Sequence, residues 1–434
     1  MLSLSHLSHL FKLVWNRKRS NSLMIIELFA AFLVLFFVVL AAIHFATVYR
    51  QSLGYEYKDV WNILAYQKQN AATLANANKI GNATTNGARS EPVDNSKAAK
   101  FQSAQTLLAT LRGLPQVESA AFMNNTPFSF SQSNTEFNRG RKYRMEQINV
   151  TDDAFKTLNL TLLQGRWFNA SDEIYSGTTS TVKPIVISQF AAATFFGQEN
   201  PIGKDITYAP GESVSNDLAR IRFRVIGVIM DFRRGSEFDQ SSNLMFRRVS
   251  LFDTTSWLPS QIVAKMKSGV SAAYEEQLLK TLEQTAPNWV FQISTLEIDR
   301  AKKHKFFYLP FGVSMTVAAF LLIMVGLGLV GVVWQSVTRR MREIGVRCSF
   351  GATKQAVYAF IVGEIAVLTT FSMIIGLFAI AQMPLLPFFD VPQATYLVSI
   401  GVAIVGMYVL TTLCAIYPSL LATKVQPAEA LRYE

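Results

Sequence analysis

A short polar stretch, residues 338–354, combines charges, small apolar side chains and glycines in a way that suits binding to another protein. The residues that we predict to make this contact are Arg339, Arg342, Glu343, Ile344, Gly345, Val346, Arg347 and Gly351. Glu343 and Arg347 lie four residues apart, so they would share one face of a helix. Ile344 and Val346 would place apolar side chains in a groove of the partner.

The two glycines of this stretch fit the same interpretation. Gly345 would allow a close approach, and Gly351 would end the element. The alternative is that the basic residues only fix the orientation of the chain in a membrane. In that case the total charge of the stretch would matter and the identities of its residues would not.

Elsewhere, residue spacings do not indicate an enzyme. Residues 197–204 resemble a phosphate-binding loop, but five residues separate Gly197 from Gly203, and Asp205 follows Lys204. A true loop has four residues between its glycines and Ser or Thr after the Lys. His6 and His9 are the only histidine pair within one predicted element. We therefore predict no catalytic residue, no metal site and no cofactor bound by this chain.

The elements that position the polar stretch are long apolar blocks. The 434 residues are half hydrophobic and carry a formal charge of +11. About 20 apolar residues of helix cross a bilayer, and the sequence predicts transmembrane helices at residues 23–46, 306–337, 355–383 and 395–421. The first block is too long for a signal peptide. The basic residues lie largely beside these blocks, which favours a lipid bilayer as the partner and not nucleic acid.

Basic flanks predict the orientation, because Lys and Arg favour the cytoplasmic side. Residues 1–22, 338–354 and 422–434 are basic and are predicted to be cytoplasmic, with an amphipathic helix over residues 1–22. Residues 47–305 and the short turn at 384–394 are then external. The fold class is an α-helical membrane protein with four transmembrane helices and a large α+β extracytoplasmic domain inserted between helices one and two.

The external region contains two strand–helix–strand patterns, one near each end. The first has strands at 59–66 and 117–123 around a helix at 98–112, and the second covers 261–295. We predict an α+β subdomain from 47–123 and 259–305, with a β-rich subdomain at about 124–258 inserted in it. The region has no cysteine, so its own core must hold it together.

Two carboxylates fall inside the apolar blocks. Glu27 lies about one turn inside the first block and Glu364 about three turns inside the third. A carboxylate in lipid is costly and usually faces protein or water. We predict an interfacial position for Glu27, with helix packing or a proton-linked role as the alternative. For Glu364 we predict a helix-packing role in preference to proton coupling.

Residues 339–347 read Arg-Arg-Met-Arg-Glu-Ile-Gly-Val-Arg and are followed by Gly351-Ala352-Thr353. This stretch is similar to the cytoplasmic signature of a known family, the FtsX-like, MacB-type permeases of ABC transporters. The C-terminal Pro427-Ala428-Glu429-Ala430-Leu431-Arg432 resembles its closing motif. Further similar residues are Gly165-Arg166, Phe195-Phe196-Gly197, Asn200-Pro201-Ile202-Gly203-Lys204 and Val225-Ile226-Gly227-Val228. Glu364 also falls where these permeases often carry Glu.

The resemblance implies a non-catalytic permease subunit in a bacterial inner membrane. Its partners would be a cytoplasmic ABC ATPase, which binds ATP and Mg, and a second permease chain, identical or paralogous. The expected function is efflux of a periplasmic substrate, with a periplasmic adaptor and an outer-membrane channel. The alternatives are a lipoprotein-releasing permease and an FtsX-like regulator of a cell-wall hydrolase.

Overall fold

The computed structural model describes the chain at residues 18–67, 95–130, 133–172, 182–209, 221–254, 258–339, 346, 353–383 and 391–422. Residues 1–17 of the predicted amphipathic segment, residues 423–434 of the tail, and most of 338–354 and 384–394 lie outside the described residues. Residues 18–22 belong to α1. The chain divides into two units. Val48–Phe307 forms one, and Met1–Thr47 with Tyr308–Glu434 forms the other.

The chain begins with one long helix and ends with three, and the strands and shorter helices lie between them. In chain order they are α1 (Lys18–Tyr49), β1 (Val60–Gln67), α2 (Asn95–Gly113), β2 (Val117–Met123), β3 (Asn134–Asn138), β4 (Lys142–Val150), α3 (Ala154–Thr157), β5 (Leu162–Gly165), β6 (Val182–Ser188), α4 (Gln189–Phe196), β7 (Asp205–Tyr208), β8 (Arg222–Ile229), β9 (Leu244–Arg248), β10 (Gln261–Met266), α5 (Tyr274–Thr285), β11 (Trp289–Thr295), α6 (Leu296–Arg339), α7 (Lys354–Ala381) and α8 (Gln393–Ala422).

Helices α1, α6, α7 and α8 are long and apolar enough to cross a membrane, which confirms the prediction of four such helices. Helix α6 begins at Leu296, ahead of the apolar block at 306. Its first turn contains Glu297 and Asp299, which suit the positive end of the helix dipole. The Thr295 hydroxyl accepts the Ile298 N–H at 3.2 Å. This polar start therefore adds about three turns to the helix before the apolar run.

Helix α1 packs against each of the other three apolar helices at a glycine. A methyl group at Gly328 or Gly376 would overlap an α1 side chain, and one at Gly406 would meet another at 3.1 Å. The pairs are Gly328 of α6 with Glu27, Gly376 of α7 with Phe32, and Gly406 of α8 with Leu35. Small residues of this kind allow helices to approach closely in a bilayer, where burial of apolar surface gives little drive for association.

The other unit is built on an 11-stranded sheet in the order β11-β1-β10-β2-β4-β3-β7-β8-β6-β9, with β5 beside β8. The first four strands form an open antiparallel sheet, with α2 and α5 covering one face through a shared apolar core. A parallel pairing of β4 with β9 closes the remaining strands into a ring. One residue pair, Met123 with Val150, joins the open sheet to this ring.

The ring has its own apolar interior. Side chains from β3, β4, β6, β7, β8 and β9 converge there, and Phe195 and Phe196 of α4 pack against them. Phe137 of β3 stacks on Tyr208 of β7 with the ring centroids 4.9 Å apart. Closure pairs both edges of the curved sheet and so leaves fewer unpaired backbone groups. We call the whole unit, Val48–Phe307, the α+β domain.

The glycine contacts of α1 give a first testable prediction. Gly376→Ala should destabilise the helix unit by about 1–3 kcal/mol, because the added methyl collides with the buried Phe32 ring and a packed interior resists extra volume. The measurement is the unfolding curve of the purified chain in mixed detergent with increasing dodecyl sulfate.

Gly401→Ala in α8 is the matched control, because nothing lies within 4 Å of a methyl group there. That variant should unfold like the parent or slightly later, since Ala favours helix over Gly by up to about 1 kcal/mol. Equal shifts for the two variants would contradict the packing described above.

Candidate functional site

Asp231–Asp239 lies between β8 and β9. It is next to the two places where the chain enters the α+β domain from α1 and leaves it along α6. Its sequence is Asp-Phe-Arg-Arg-Gly-Ser-Glu-Phe-Asp. It contacts residues 49–55, which follow the apolar part of α1, and residues 300–307, which precede the apolar part of α6. We call Asp231–Asp239 the clamp segment.

Arg233 fixes the chain that comes from α1. Its side chain is 2 % exposed. The guanidinium donates to the Gln51 carbonyl at 3.0 Å, to the Asp239 carbonyl at 2.7 and 2.9 Å, and to the Glu237 carbonyl. Its backbone N–H donates to the Leu53 carbonyl at 2.9 Å. One buried side chain thus satisfies carbonyls on the clamp segment and on the chain leaving α1.

Two neighbours complete this side of the contact. The Tyr55 hydroxyl donates to the Arg233 carbonyl at 3.2 Å. Gly54 has a φ of +82°, and a side chain there would overlap the Asp231 carbonyl. Only glycine takes up this conformation without strain. The chain after α1 is therefore held against the clamp segment at consecutive residues.

Glu237 fixes the start of α6. Its carboxylate accepts from Nε2 of His304 at 2.7 Å and pairs with the Arg300 guanidinium. Burial by itself raises the pKa of Glu237, but the hydrogen bonds from His304 and Arg300 outweigh it and hold the pKa below its ordinary value. The side chain thus stays charged and bound to two residues one helical turn apart on α6.

Phe238 joins the two sides. Its ring centroid lies 5.7 Å from that of Tyr49, 5.3 Å from the His304 ring and 5.5 Å from Phe307. Tyr49 is the last residue of α1, and the other two belong to α6. A single aromatic side chain therefore packs against both of the long helices inside the α+β domain.

Arg234 directs the clamp segment toward the sheet. It is buried, its Nε lies 2.5 Å from the Glu146 carboxylate, and it donates to the hydroxyl and carbonyl of Ser129 at 2.7 and 3.1 Å. Burial raises the pKa of Glu146, although Arg234 opposes the shift. This pair ties the clamp segment to β4 and to the loop after β2.

The basic residues at the start of α6 lie on the flank predicted to be external, and the structure accounts for most of them. Arg300 and His304 bind Glu237. Lys302 lies 3.2 Å from Asp299. Lys303 is buried, and the Asp239 charge opposes the lowering of its pKa by burial. A basic cluster on the flank predicted to be external is the sequence signal that would have directed attention to an acidic partner in the domain.

The predicted contact residues are largely beyond the described part of the chain. Helix α6 ends at Arg339, and Val346 is 39 % exposed. Arg342, Glu343, Ile344, Gly345, Arg347 and Gly351 lie outside the described residues. The Thr353 hydroxyl accepts the Ala356 N–H at 3.3 Å and caps α7, so that helix begins directly after the predicted stretch.

The two intramembrane carboxylates lie in different helices. The Glu27 carboxylate packs against Gly328 of α6, a helix contact that the interfacial prediction did not include. Glu364 is half-buried in α7. Among the described residues, no group of three or more His, Cys, Asp or Glu side chains is placed to hold a metal ion.

Comparisons with known proteins cover both units. Residues 36–281 match the family described as the MacB-like periplasmic core domain, and residues 315–427 match the FtsX-like permease C-terminal region. The ABC transporter permease YknZ of Bacillus subtilis is 25 % identical over 304 residues, which are 66 % of this chain and 70 % of YknZ. The permease YvrN of the same organism is 24 % identical over 66 % of this chain and 69 % of its own.

A third relative is longer than this chain. The macrolide export ATP-binding/permease protein MacB of Hahella chejuensis is 25 % identical over 308 residues, which are 68 % of this chain and 44 % of MacB. That protein is named for both an ATP-binding and a permease function. The match covers less than half of it.

The buried Arg233 gives a second testable prediction. Arg233→Ala should destabilise the α+β domain by on the order of 3 kcal/mol, because several buried carbonyls lose their donor. Hydrogen exchange of the full chain should show faster exchange in residues 49–57 and 231–239. Arg222→Ala is the control, since that side chain is half exposed on β8. Similar exchange in the two variants would show that Arg233 does not hold these segments.

The lowered pKa of Glu237 gives a third prediction. Its stabilising effect is present above the unfolded-state pKa of about 4.3 and is lost as the pH falls through the lower folded-state value. The parent should therefore lose stability below about pH 4.3 more steeply than Glu237→Gln, which lacks this titration. The unfolding temperature of each full chain between neutral and acidic pH is the measurement. Glu275→Gln, at a partly exposed position on α5, should follow the parent curve.

Proposed function

This chain belongs to the family of ABC transporter permeases with a MacB-like periplasmic core domain and an FtsX-like C-terminal region, and from that premise we propose that it transmits motion. It would be a non-catalytic permease subunit. A separate cytoplasmic ATPase would bind ATP and Mg and drive the movement. The α+β domain would receive it on the external side of the inner membrane.

The clamp segment is the observation that carries this proposal. Arg233 holds the chain from α1, and Glu237 holds Arg300 and His304 of α6, so both connections end on one short segment. Hydrogen bonds to charged groups are directional and roughly twice as strong as neutral ones. A displacement of either connection would therefore pass into the sheet through Arg234 and Glu146.

The length of α6 supports the same proposal. The helix runs from Leu296 to Arg339 and its 44 residues correspond to about 66 Å. One end lies within the α+β domain, and the other leads into residues 340–352. Pro310 removes one backbone hydrogen bond inside this helix. On either side of it, the remaining backbone hydrogen bonds resist local change, so the helix would transmit displacement along its axis. No path for substrate through the bilayer is required by such a mechanism.

The orientation and partners of the chain follow from this proposal. Both termini and residues 338–354 would be cytoplasmic, where Arg342, Glu343, Ile344, Val346 and Arg347 would dock on the ATPase. A second permease chain, identical or paralogous, would complete the membrane part. These assignments rest on the basic flanks and on the resemblance of residues 339–347 to the family signature.

We propose efflux of an external substrate as the work performed. The support is the match to relatives named as macrolide export proteins. A periplasmic adaptor and an outer-membrane channel would then be further partners. Release of lipoproteins and regulation of a cell-wall hydrolase remain the alternative functions within the same mechanical scheme, because each also uses movement of an external domain.

Two variants, studied in a reconstituted complex with the cognate ATPase, test the predicted ATPase contact and the clamp segment. Ile344→Ser combined with Val346→Ser keeps every charge of the predicted contact, and removal of packed interface anchors often costs more than about 1 kcal/mol each. This double variant should lose co-purification of the ATPase. Glu237→Gln should retain ATPase binding and hydrolysis but reduce the ATP-dependent change in hydrogen exchange within residues 48–307.

The readouts separate the possible failures of this proposal. Normal ATPase binding by the double variant would show that residues 338–354 only set orientation. A normal ATP-dependent change in Glu237→Gln would show that the clamp segment does not transmit motion. The parent chain without the ATPase should hydrolyse no ATP, and turnover by the chain alone would contradict its assignment as a non-catalytic subunit.

A further inference from the structure

The loop after β2 turns one phenylalanine inward and presents another outward. Phe128 is 2 % exposed and packs against Tyr55 and Tyr57, with ring centroids 5.9 and 6.0 Å away. Phe130, two residues later, is 64 % exposed. Phe128 has a φ of +62° and Asn125 a φ of +51°. Asn adopts left-handed backbone readily, but at a bulky residue such as Phe it is strained and persists where the surroundings enforce it.

The surroundings of this loop do enforce its shape. The Phe128 N–H donates to the Arg234 carbonyl at 2.7 Å, and the Arg234 guanidinium donates to both oxygens of Ser129. The Thr126 N–H donates to the Gln261 side chain at 3.3 Å. Hydrogen bonds at Thr126, Phe128 and Ser129 thus fix the backbone that leads to Phe130, and this fixed backbone leaves the Phe130 ring exposed.

The neighbours of Phe130 indicate what the ring faces. Its centroid lies 5.4 Å from that of Phe306, edge to face, and the ammonium of Lys303 lies 3.6 Å from it. Phe306 is 62 % exposed and is the first residue of the charge-free apolar run 306–337. The first turn of such a run is expected at the membrane–water interface, where the aromatic side chains of interfacial segments lie. The Phe130 ring would then lie at the level of the interface.

We propose that Phe130 and Phe306 anchor the α+β domain to the surface of the lipid bilayer, with the buried Lys303 packed against the Phe130 ring. The Phe130 ring would enter the boundary between headgroups and acyl chains, as apolar side chains of interfacial segments do. Arg50 and Lys305 are exposed beside the ends of α1 and of the polar start of α6, where lipid phosphates would attract them. Because Arg234 holds the same loop, the anchor would set the height of the clamp segment above the membrane.

Spin labels on the full chain test this proposal in vesicles of phosphatidylethanolamine and phosphatidylglycerol. The native cysteines are first replaced, as Cys348→Ser and Cys414→Ser, and a label is attached at Phe130→Cys. The collision rates of the label with oxygen, which concentrates in lipid, and with a water-soluble nickel chelate are then compared. Phe252→Cys, at an 85 % exposed ring of the same domain, and Phe320→Cys, within the apolar part of α6, are the references.

The expected result is an oxygen-to-nickel ratio at position 130 between those at 252 and 320 and clearly shifted toward the lipid value. A ratio equal to that at 252 would overturn the proposal, because the ring would then face water. Low collision rates with both reagents would overturn it as well, since a protein partner or a second copy of the chain would cover the ring. Neither result would affect the transmission test above, which does not depend on lipid contact.

Discussion

A buried guanidinium has five N–H donors in a fixed plane. The free-energy penalty for leaving them without acceptors is larger than the net stabilisation gained by pairing them. Arg233 meets this requirement with backbone carbonyls from two separate parts of the chain, Gln51 and the clamp segment. The rest of the junction is arranged around that constraint. Tyr55 binds the Arg233 carbonyl, and Gly54 gives the Asp231 backbone the room it needs. The chain from α1 can occupy only one register under these conditions.

Acidic and basic residues at this junction also explain an unusual flank of α6. Positive residues beside a membrane helix favour the cytoplasmic side, yet Arg300, Lys302, Lys303 and Lys305 lie on the flank predicted to be external. The rule is strongest for short loops, and residues 47–305 are long enough to escape it. Within the folded domain, Arg300 pairs with Glu237. The Arg300 charge therefore attaches the start of α6 to the clamp segment.

The sequence predicted the features that depend on local pattern. Apolar blocks of sufficient length became α1, α6, α7 and α8, and the strand at 117–123 and the helix at 98–112 fall within β2 and α2. Pairings between distant residues were not predictable in this way. The β4–β9 ladder joins Ile148 to Phe246, and Arg233 reaches Gln51 across 182 positions. Neither partner carries a local signal of the other, and the predicted ATPase contact stays a prediction.

The two kinds of packing in this chain suit different mechanical demands. Around α1, glycines let helices approach through smooth surfaces, where dispersion contacts have little directional preference. At the junction, charged hydrogen bonds fix register, because a shift of one residue would leave buried donors without acceptors. Helix surfaces of the first kind permit small sliding, whereas contacts of the second kind resist it. In the mechanism we propose, the apolar helices therefore slide past one another by small amounts. Arg233 and Glu237 pass the movement of α1 and α6 to the α+β domain without a change of register.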